Sequence, residues 1–386
     1  MSEFPDSARP PHRTTQATGL RRRLAELRGP DHPPRPLDAR ALAALAANPG
    51  CDRRALMDGA GVDKALLADA LGAPSAFGQS QFALARGNVF EARVKADGGA
   101  ELLRLVHARV GGTGDPEPVP DLVRAPDLSA AGPEGRTART ALALREAVQA
   151  PGTWTFLDHP MVALDVAGSP AFLEPDAVVV HPDGSWTVVE IKSFPMIDGA
   201  ADPAKVGAAA RQAAVYVLAL EQVAARLPEA SPVVRDRVVL VCPKDFSNLP
   251  AASAVDVRKQ LSVTRRQLTR LTRIEDIAAA LPPGTAFDPE LPAAELRAAV
   301  ESVPATYAPE CLAACELAFH CRDRSRAAGA VTALGRPLRA ELGGLTTVDA
   351  VLAAARGESG DPADPTVAAL RRAAALRAEA LEGARC

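Results

Sequence analysis

Three charged residues stand in a segment that otherwise has the composition of a buried β hairpin. The segment runs from Phe172 to Ser193, FLEPDAVVVHPDGSWTVVEIKS, and the charged residues are Asp176, Glu190 and Lys192. Paired carboxylates bind hard divalent cations such as Mg²⁺ or Mn²⁺, which prefer oxygen ligands. A neighbouring ammonium group stabilises negative charge that develops during a reaction. The chemistry that this combination predicts is catalysis assisted by a divalent cation.

The turn between the two strands determines how the charged residues face one another. The sequence HPDGS at positions 181–185 fits a three-residue hairpin loop, with Pro and Asp in a type I turn and Gly in the left-handed conformation. If the first and last of these residues pair, counting back along both strands places Asp176 opposite Glu190. Lys192 shares the face of Glu190 because side chains alternate along a strand. The three charged groups are therefore expected to converge.

Facing carboxylates roughly 5 Å apart repel each other. In a half-buried site they persist only with a countercharge or a raised pKa. A divalent cation beside Lys192 supplies that countercharge. The alternative interpretation is that Glu190 and Lys192 belong to a solvated stripe on an exposed face of the sheet.

These residues resemble the PD-(D/E)xK signature of metal-dependent nucleases. Pro175-Asp176 is followed, after thirteen residues, by Glu190-Ile191-Lys192. Downstream, Gln212 and Tyr216 are similar to the Q-x-x-x-Y motif of the RecB-like branch, and a spacing of four places both on one helix face. Upstream, Gly87 and Glu91, four positions later, resemble a helical motif of that branch. The family often has His where this chain has Glu91.

The resemblance implies roles for these positions. The implied catalytic residues are Asp176, Glu190, Lys192, Gln212 and Tyr216. The implied ligands of Mg²⁺ or Mn²⁺ are Glu91, Asp176, Glu190 and the backbone carbonyl of Ile191. Gln212 and Tyr216 are expected to position the substrate backbone and the lysine.

Three cysteines cluster late in the chain, in the stretch CLAACELAFHC, and a fourth lies far upstream. Cys51 with Cys311, Cys315 and Cys321 resembles the four thiolate ligands of a 4Fe-4S cluster in AddB-type and CRISPR-associated RecB-like nucleases. Three residues separate Cys311 from Cys315 where the family has two. The departure leaves zinc as an alternative, with His320 or Cys51 completing the site. A third interpretation is that the cysteines are inert and pack as small hydrophobic residues.

Short β-rich runs flanked by helical patterns predict an α/β (α+β) fold. The resemblance implies a restriction-endonuclease-like central mixed sheet flanked by helices, with helical N- and C-terminal additions. Residues 1–36 are predicted to be a flexible basic tail. Residues 37–330 are predicted to be a RecB-like nuclease domain with an N-terminal helical part and the C-terminal cysteine cluster, and residues 334–386 a helical appendage. The segment from Ala254 to Leu281 is expected to be mostly helix.

The 386 residues are 47% hydrophobic and carry a formal net charge of −3, so nucleic-acid affinity must come from local basic patches. One candidate patch is Lys259, Arg266, Arg270 and Arg273 on a predicted helix, a pattern that is more typical of a solvated face. We expect no membrane partner and a cytoplasmic location, because the sequence lacks both a long apolar run and a signal-peptide pattern.

The resemblance implies a metal-dependent DNA nuclease that acts as an exonuclease on DNA ends or single strands, in repair, defence or CRISPR adaptation. A helicase or another subunit of a nuclease complex is a further expected partner, since the chain lacks a phosphate loop of its own. Two alternatives stay open. One is a non-catalytic nucleic-acid-binding or partner subunit on the same fold, and the other is an iron-sulfur redox sensor.

Overall fold

The structure is a computed structural model, and it describes residues 12–48, 50–74, 81–111, 117–118, 123–166, 169–227, 232–245, 247–270 and 274–383. Its contacts divide the chain into two compact units. The sheet unit comprises residues 35–49 and 78–275, and the helical unit comprises residues 1–34, 50–77 and 276–386. This division differs from the predicted segments 1–36, 37–330 and 334–386, since residues 276–330 group with residues 50–77 and the C-terminal helices.

The helices, in chain order, are α1 (His12–Arg28), α2 (Ala39–Ala47), α3 (Asp52–Ala60), α4 (Lys64–Ala70), α5 (Gln81–Val94), α6 (Ala96–Val110), α7 (Gly132–Val148), α8 (Pro203–Ala224), α9 (Arg258–Arg270), α10 (Ile274–Ala279), α11 (Ala293–Glu301), α12 (Ala318–Ala327), α13 (Arg336–Glu341), α14 (Val348–Arg356) and α15 (Pro365–Gly383). The strands are β1 (Thr155–Asp158), β2 (Val162–Val166), β3 (Ser169–Leu173), β4 (Ala177–Val180), β5 (Trp186–Ile191), β6 (Arg237–Pro243) and β7 (Pro250–Asp256). Among the described residues, no helix is both long enough and apolar enough to cross a membrane.

The sheet unit is built on a mixed five-stranded sheet with the order β1-β4-β5-β6-β7. β5 and β6 are parallel, with α8 in the connection between them, and the other neighbours are antiparallel. β2 and β3 form a separate hairpin. Apolar residues of α5 and α6 pack on one face of the sheet, and α8 packs on the other. The predicted mixed α/β fold with helices around a central sheet is confirmed.

The β4–β5 hairpin follows the predicted register. Ala177 pairs with Val189, and His181 donates its N–H to the carbonyl of Ser185 at 2.8 Å. Gly184 has a φ of +81°, the left-handed conformation that the turn requires. All residues of both strands are buried, which explains their continuous β-branched composition.

The edge strand β7 was not predicted. Residues 250–256 pair antiparallel with β6, and α9 begins only at Arg258. The expected helix from Ala254 is therefore wrong over its first residues. The sequence PAASAVD has little of the β-branched or aromatic content that marks a strand, so pairing with β6 decides its conformation.

The helix α1, His12–Arg28, lies within the segment 1–36 that the sequence predicts to be a flexible basic tail. Leu27 has no exposed surface, and its carbonyl accepts a hydrogen bond from the N–H of Phe287 at 2.6 Å. Arg28 donates to the carbonyl of Ala60 at 2.9 Å. These contacts fix the end of α1 within the helical unit. Residues 1–11 lie outside the described residues.

Candidate functional site

The β4–β5 hairpin brings Asp176, Glu190 and Lys192 together at one end of the sheet. Asp176 lies just before β4, and its Oδ2 accepts a hydrogen bond from the N–H of Ile191 at 2.6 Å. The Nζ of Lys192 lies 2.5 Å from Oε2 of Glu190 and 3.9 Å from Oδ2 of Asp176. One ammonium group therefore faces two carboxylates, as the register predicts.

Glu190 is buried, with 1% of its surface exposed, so the alternative of a solvated charge stripe is wrong. Its Oε2 contacts the Lys192 ammonium group at 2.5 Å, and its Oε1 has no hydrogen-bond partner among the described residues. Burial raises the pKa of Glu190 to about 7, against the opposing charge of Lys192 and with the help of the charge of Asp176. Burial alone would lower the pKa of Lys192, but the charges of Glu190 and Asp176 outweigh it and raise that pKa. The site holds more negative charge than one lysine balances.

Gln212 and Tyr216 lie on one face of α8, in accord with their spacing. Gln212 Nε2 donates to the Tyr216 hydroxyl at 2.9 Å, and that hydroxyl donates to the carbonyl of Glu174 at 3.2 Å. Burial, and then the charge of Glu190, raise the pKa of Tyr216. The tyrosine is thus neutral, held by two hydrogen bonds, and near enough to sense the Glu190 carboxylate.

Glu91 lies on α5 at the edge of this group, but it contacts two other side chains. Its Oε1 is 3.0 Å from Nε2 of His159 and 2.6 Å from Nζ of Lys95. The hydrogen bond from His159, followed by that from Lys95, lowers the pKa of Glu91 to about 2. The charge of Glu91 also raises the pKa of Glu190, although by less than burial and the charge of Asp176 do. Glu91 is therefore ionised and close to the site, and both its partners are cationic or proton-donating.

The sequence interpretation missed the residues that surround Glu91. Lys95 also contacts Oδ1 of Asp158 at 2.7 Å. His159 follows β1 with a φ of +44°, and its N–H points to the carbonyl of Asp176 at 3.4 Å. The spacing of four between Glu91 and Lys95 indicates a helical ion pair. Nothing in the sequence places His159 beside them, since that contact depends on where β1 ends relative to α5.

Within the described part of the chain, no group of three or more His, Cys, Asp or Glu side chains is arranged to hold a metal ion. Asp176 and Glu190 form a pair, and Glu91 is held by Lys95 and His159. The buried carboxylate of Glu190 nevertheless suits a hard divalent cation, which takes carboxylate and backbone carbonyl ligands. Asp176 and Glu190 thus supply carboxylate oxygens of the kind that hard divalent cations bind.

The four predicted sulfur ligands all lie in the helical unit. Cys311, Cys315 and Cys321 belong to one small hydrophobic cluster. Burial raises the pKa of Cys321, and the charge of Arg53 opposes that rise. The charges of Cys51 and then of Cys311 raise this pKa further. Arg53 donates to Sγ of Cys321 at 3.3 Å. Cys51 thus comes near the late cysteines, though the group is not arranged as a metal site.

Two further side chains bear on this cysteine cluster. Burial raises the pKa of Cys315 to about 12, and the charge of Arg54 opposes that shift. His320 is buried, burial lowers its pKa, and its Nε2 lacks a hydrogen-bond partner. The arginines suit anionic thiolates, and a neutral imidazole suits a zinc site.

Comparisons of the chain with models of protein families, with curated proteins and with solved structures found no match.

Proposed function

We propose that this protein is a metal-dependent DNA nuclease of the RecB-like branch of the PD-(D/E)xK superfamily. The observation that carries the proposal is Glu190, a buried carboxylate that has Asp176 beside it and, among the described residues, only one cation in contact, Lys192 at 2.5 Å. A buried anion in this state calls for more positive charge than the chain supplies. A divalent cation bound to a phosphate supplies it.

The sheet topology supports the same proposal. β1, β4 and β5 are antiparallel neighbours, and α8 then leads to β6, which is parallel to β5. We propose that these four strands with α8 are a restriction-endonuclease-like core. The candidate site lies at the end of β5, and α8 carries Gln212 and Tyr216.

The proposed metal ligands are Asp176, Glu190 and the backbone carbonyl of Ile191, with Glu91 as a further carboxylate from α5. When bound, Mg²⁺ or Mn²⁺ supplies Lewis-acid chemistry that lowers the pKa of a water and offsets charge on the phosphate. In the overall reaction a water oxygen bonds to phosphorus, one ester P–O bond breaks, and the departing oxygen takes a proton.

Lys192 keeps its proton at neutral pH, because the charges of Glu190 and Asp176 outweigh burial and raise its pKa. Its ammonium group therefore orients the water or stabilises negative charge on the phosphate, and it is not a general base. Tyr216, which Gln212 and the Glu174 carbonyl hold in place, positions the substrate backbone and Lys192. The proposed substrates are DNA ends or single strands, with a helicase or another nuclease subunit as a partner.

For the cysteine cluster we propose a 4Fe-4S cluster held by Cys51, Cys311, Cys315 and Cys321, with zinc as the alternative. The support is that Cys311, Cys315 and Cys321 belong to one cluster and that Arg53 donates to Cys321 Sγ at 3.3 Å, a contact that opposes the rise in pKa caused by burial of this thiol. The cluster is a structural element of the helical unit and takes no part in hydrolysis.

The test of the nuclease proposal is digestion of end-labelled single- and double-stranded DNA in Mg²⁺, Mn²⁺ or EDTA. We expect the wild-type protein to shorten DNA only with metal. Asp176→Ala and Lys192→Ala should each lose about 100-fold or more in rate. The matched control is Glu146→Ala, which removes an exposed carboxylate on α7 and should keep the wild-type rate.

Two outcomes would overturn this assignment. In the first, both site variants degrade DNA in Mn²⁺ as the wild type does. In the second, the wild type binds single strands equally in EDTA and Mg²⁺ and releases no nucleotides, which would identify a non-catalytic nucleic-acid-binding subunit on the same fold.

A further inference from the structure

Two open pockets of the sheet unit adjoin each other and share part of their lining. Their volumes are about 540 and 520 Å³, and Arg109 and Arg237 line both. We call the two together the arginine groove. It lies where the end of α6 meets β6 and the edge strand β7, whose residues 251–254 line the second pocket.

Three exposed cations, Arg109, Arg237 and Lys244, line the second pocket. In the described part of the chain, Arg109 and Lys244 form no ion pair, whereas Arg237 is aligned with Asp256 across β6 and β7, and its charge contributes, after Arg258, to lowering the pKa of that carboxyl. No carboxylate lines that pocket in the part of the groove that the structure describes. Cations placed together without counterions repel each other. Their arrangement therefore favours the binding of an anion.

The first pocket adds three arginines. Each of them forms an ion pair. Arg258 pairs with Asp256 and contacts Asp236 at 3.6 Å, Arg265 contacts Glu221 at 2.6 Å, and Arg235 contacts Asp183 at 3.0 Å. Arg235 donates to Ser185 Oγ at 2.7 Å and also to the carbonyl of Val110. That last contact fixes the end of α6 next to Arg109. The described lining of the groove thus carries six cations and two carboxylates, Glu221 and Asp236, and two further carboxylates, Asp183 and Asp256, pair with its arginines. Six cations against four carboxylates leave a local positive excess in a chain of net charge −3.

The groove is separate from the candidate metal site. Glu190 aligns with Leu240, and Leu240 aligns with Ser253 of the groove, two strands or about 10 Å away across the sheet. Leu240 packs with α8 residues, whereas Ala252 packs with α5 and α6 residues. Glu190 therefore points to the α8 face of the sheet, whereas the groove follows the β6–β7 edge of the sheet, where residues of α6, α8 and α9 line it.

We propose that the arginine groove binds the phosphate backbone of a nucleic-acid strand outside the catalytic site. The choice of nucleic acid as the anion rests on the proposed nuclease function. Among the described lining residues there is no aromatic side chain on which a base would stack. Recognition therefore runs through phosphates, tolerates any sequence and weakens strongly with salt.

The test is fluorescence anisotropy of a labelled thymidine 30-mer with the full chain, in EDTA, over a series of salt concentrations. The groove variant is Arg109→Gln with Arg237→Gln. We expect its affinity to fall about tenfold at low salt, and the slope of log K against log salt to decrease by about 1.4, at 0.7 per lost phosphate contact. The matched control is Arg139→Gln with Arg145→Gln, two exposed α7 cations outside the groove lining, with an expected change below about twofold.

Wild-type affinity in the groove variant would contradict the proposal, and so would an equal loss in the control. Equal competition by inorganic phosphate and by unlabelled 30-mer, at the same phosphate concentration, would also contradict it, since that indicates a site for a small anion. The binding assay is run in EDTA, which prevents cleavage, so it does not depend on nuclease activity. If the groove variant loses affinity as expected but the wild type digests no DNA, only the nuclease proposal is rejected. Normal digestion with unchanged binding of the groove variant rejects the groove alone.

Discussion

A carboxylate with 1% exposure beside a second carboxylate destabilises a folded chain unless positive charge neutralises both. At the end of β5 a single ammonium group, that of Lys192, lies 2.5 Å from Glu190 and 3.9 Å from Asp176. One positive charge does not balance two negative ones. A divalent cation would neutralise the excess negative charge. The free energy lost in burying Glu190 is therefore explained by the proposed metal-binding function.

The first prediction concerns Glu190 and pH. Because the folded pKa of about 7 lies above the ordinary value of 4.5, the folded state prefers protonated Glu190. The stability from this preference is complete below pH 4.5 and is lost as pH rises through 7. Without metal, Glu190→Gln should therefore be more stable than wild type at pH 8, by up to on the order of 3 kcal/mol, and about equal at pH 4.

Thermal unfolding in EDTA between pH 4 and 8 measures this difference. Glu146→Gln, which changes an exposed carboxylate of α7, should show no such trend. If Glu190→Gln is less stable than wild type at pH 8, then the ion pair with Lys192 outweighs burial, and the argument for an uncompensated charge is wrong.

At the scale of elements, the β4–β5 hairpin was predictable because its information is local. The turn residues 182–184 and the pairing of Ala177 with Val189 follow from loop length and alternation. β7 was missed because its alanine-rich sequence acquires a strand conformation only by pairing with β6. The partners of Glu91 were missed for the same reason, since His159 reaches it from the end of β1 across the fold.

Two glycine-to-alanine substitutions, one in the hairpin turn and one in α8, are predicted to have opposite effects on the free energy of unfolding. Gly184 has a φ of +81°, and an added Cβ would meet no atom within 4 Å, so Gly184→Ala introduces backbone strain without a clash. We expect a loss of about 1–2 kcal/mol in the free energy of unfolding. Gly207 lies inside α8, where Cβ would meet only the end of Arg211 at 3.5 Å. Gly207→Ala should therefore stabilise by about 0.5–1 kcal/mol.

Denaturant unfolding of both variants measures the two effects. A stabilising Gly184→Ala would show that the turn is not left-handed at this position, and with that the register that aligns Asp176 with Glu190 would lose its support. A destabilising Gly207→Ala would argue against a regular α8 around that position.

At the scale of the whole molecule, the chain forms two units that are each discontinuous in sequence. Within the helical unit, buried Arg53 donates to the carbonyl of Val303, at 3.2 and 3.0 Å, and to Cys321. Composition and motifs locate the cysteines but give no sign of such long-range contacts. The predicted segments were therefore drawn along the sequence, whereas the fold joins distant stretches through buried polar side chains.

The cysteine cluster provides a prediction at this scale. Protein purified without oxygen should contain iron and sulfide, and Cys311→Ser should lose most of both together with thermal stability, because metal binding contributes folding free energy. Cys242→Ala removes a buried thiol of β6 in the sheet unit and should keep the iron. A colourless protein that holds zinc would reject the iron-sulfur cluster in favour of the zinc alternative.

The central claim is that Asp176 and Glu190 hold a divalent cation. The most direct measurement is calorimetric titration of Mn²⁺ into the full chain at pH 8, above the pKa of about 7 of Glu190, for wild type, Glu190→Gln and Glu146→Gln. The account predicts binding to wild type and to Glu146→Gln, and loss of that binding in Glu190→Gln. Equal binding by all three proteins, or no binding by wild type, would contradict it.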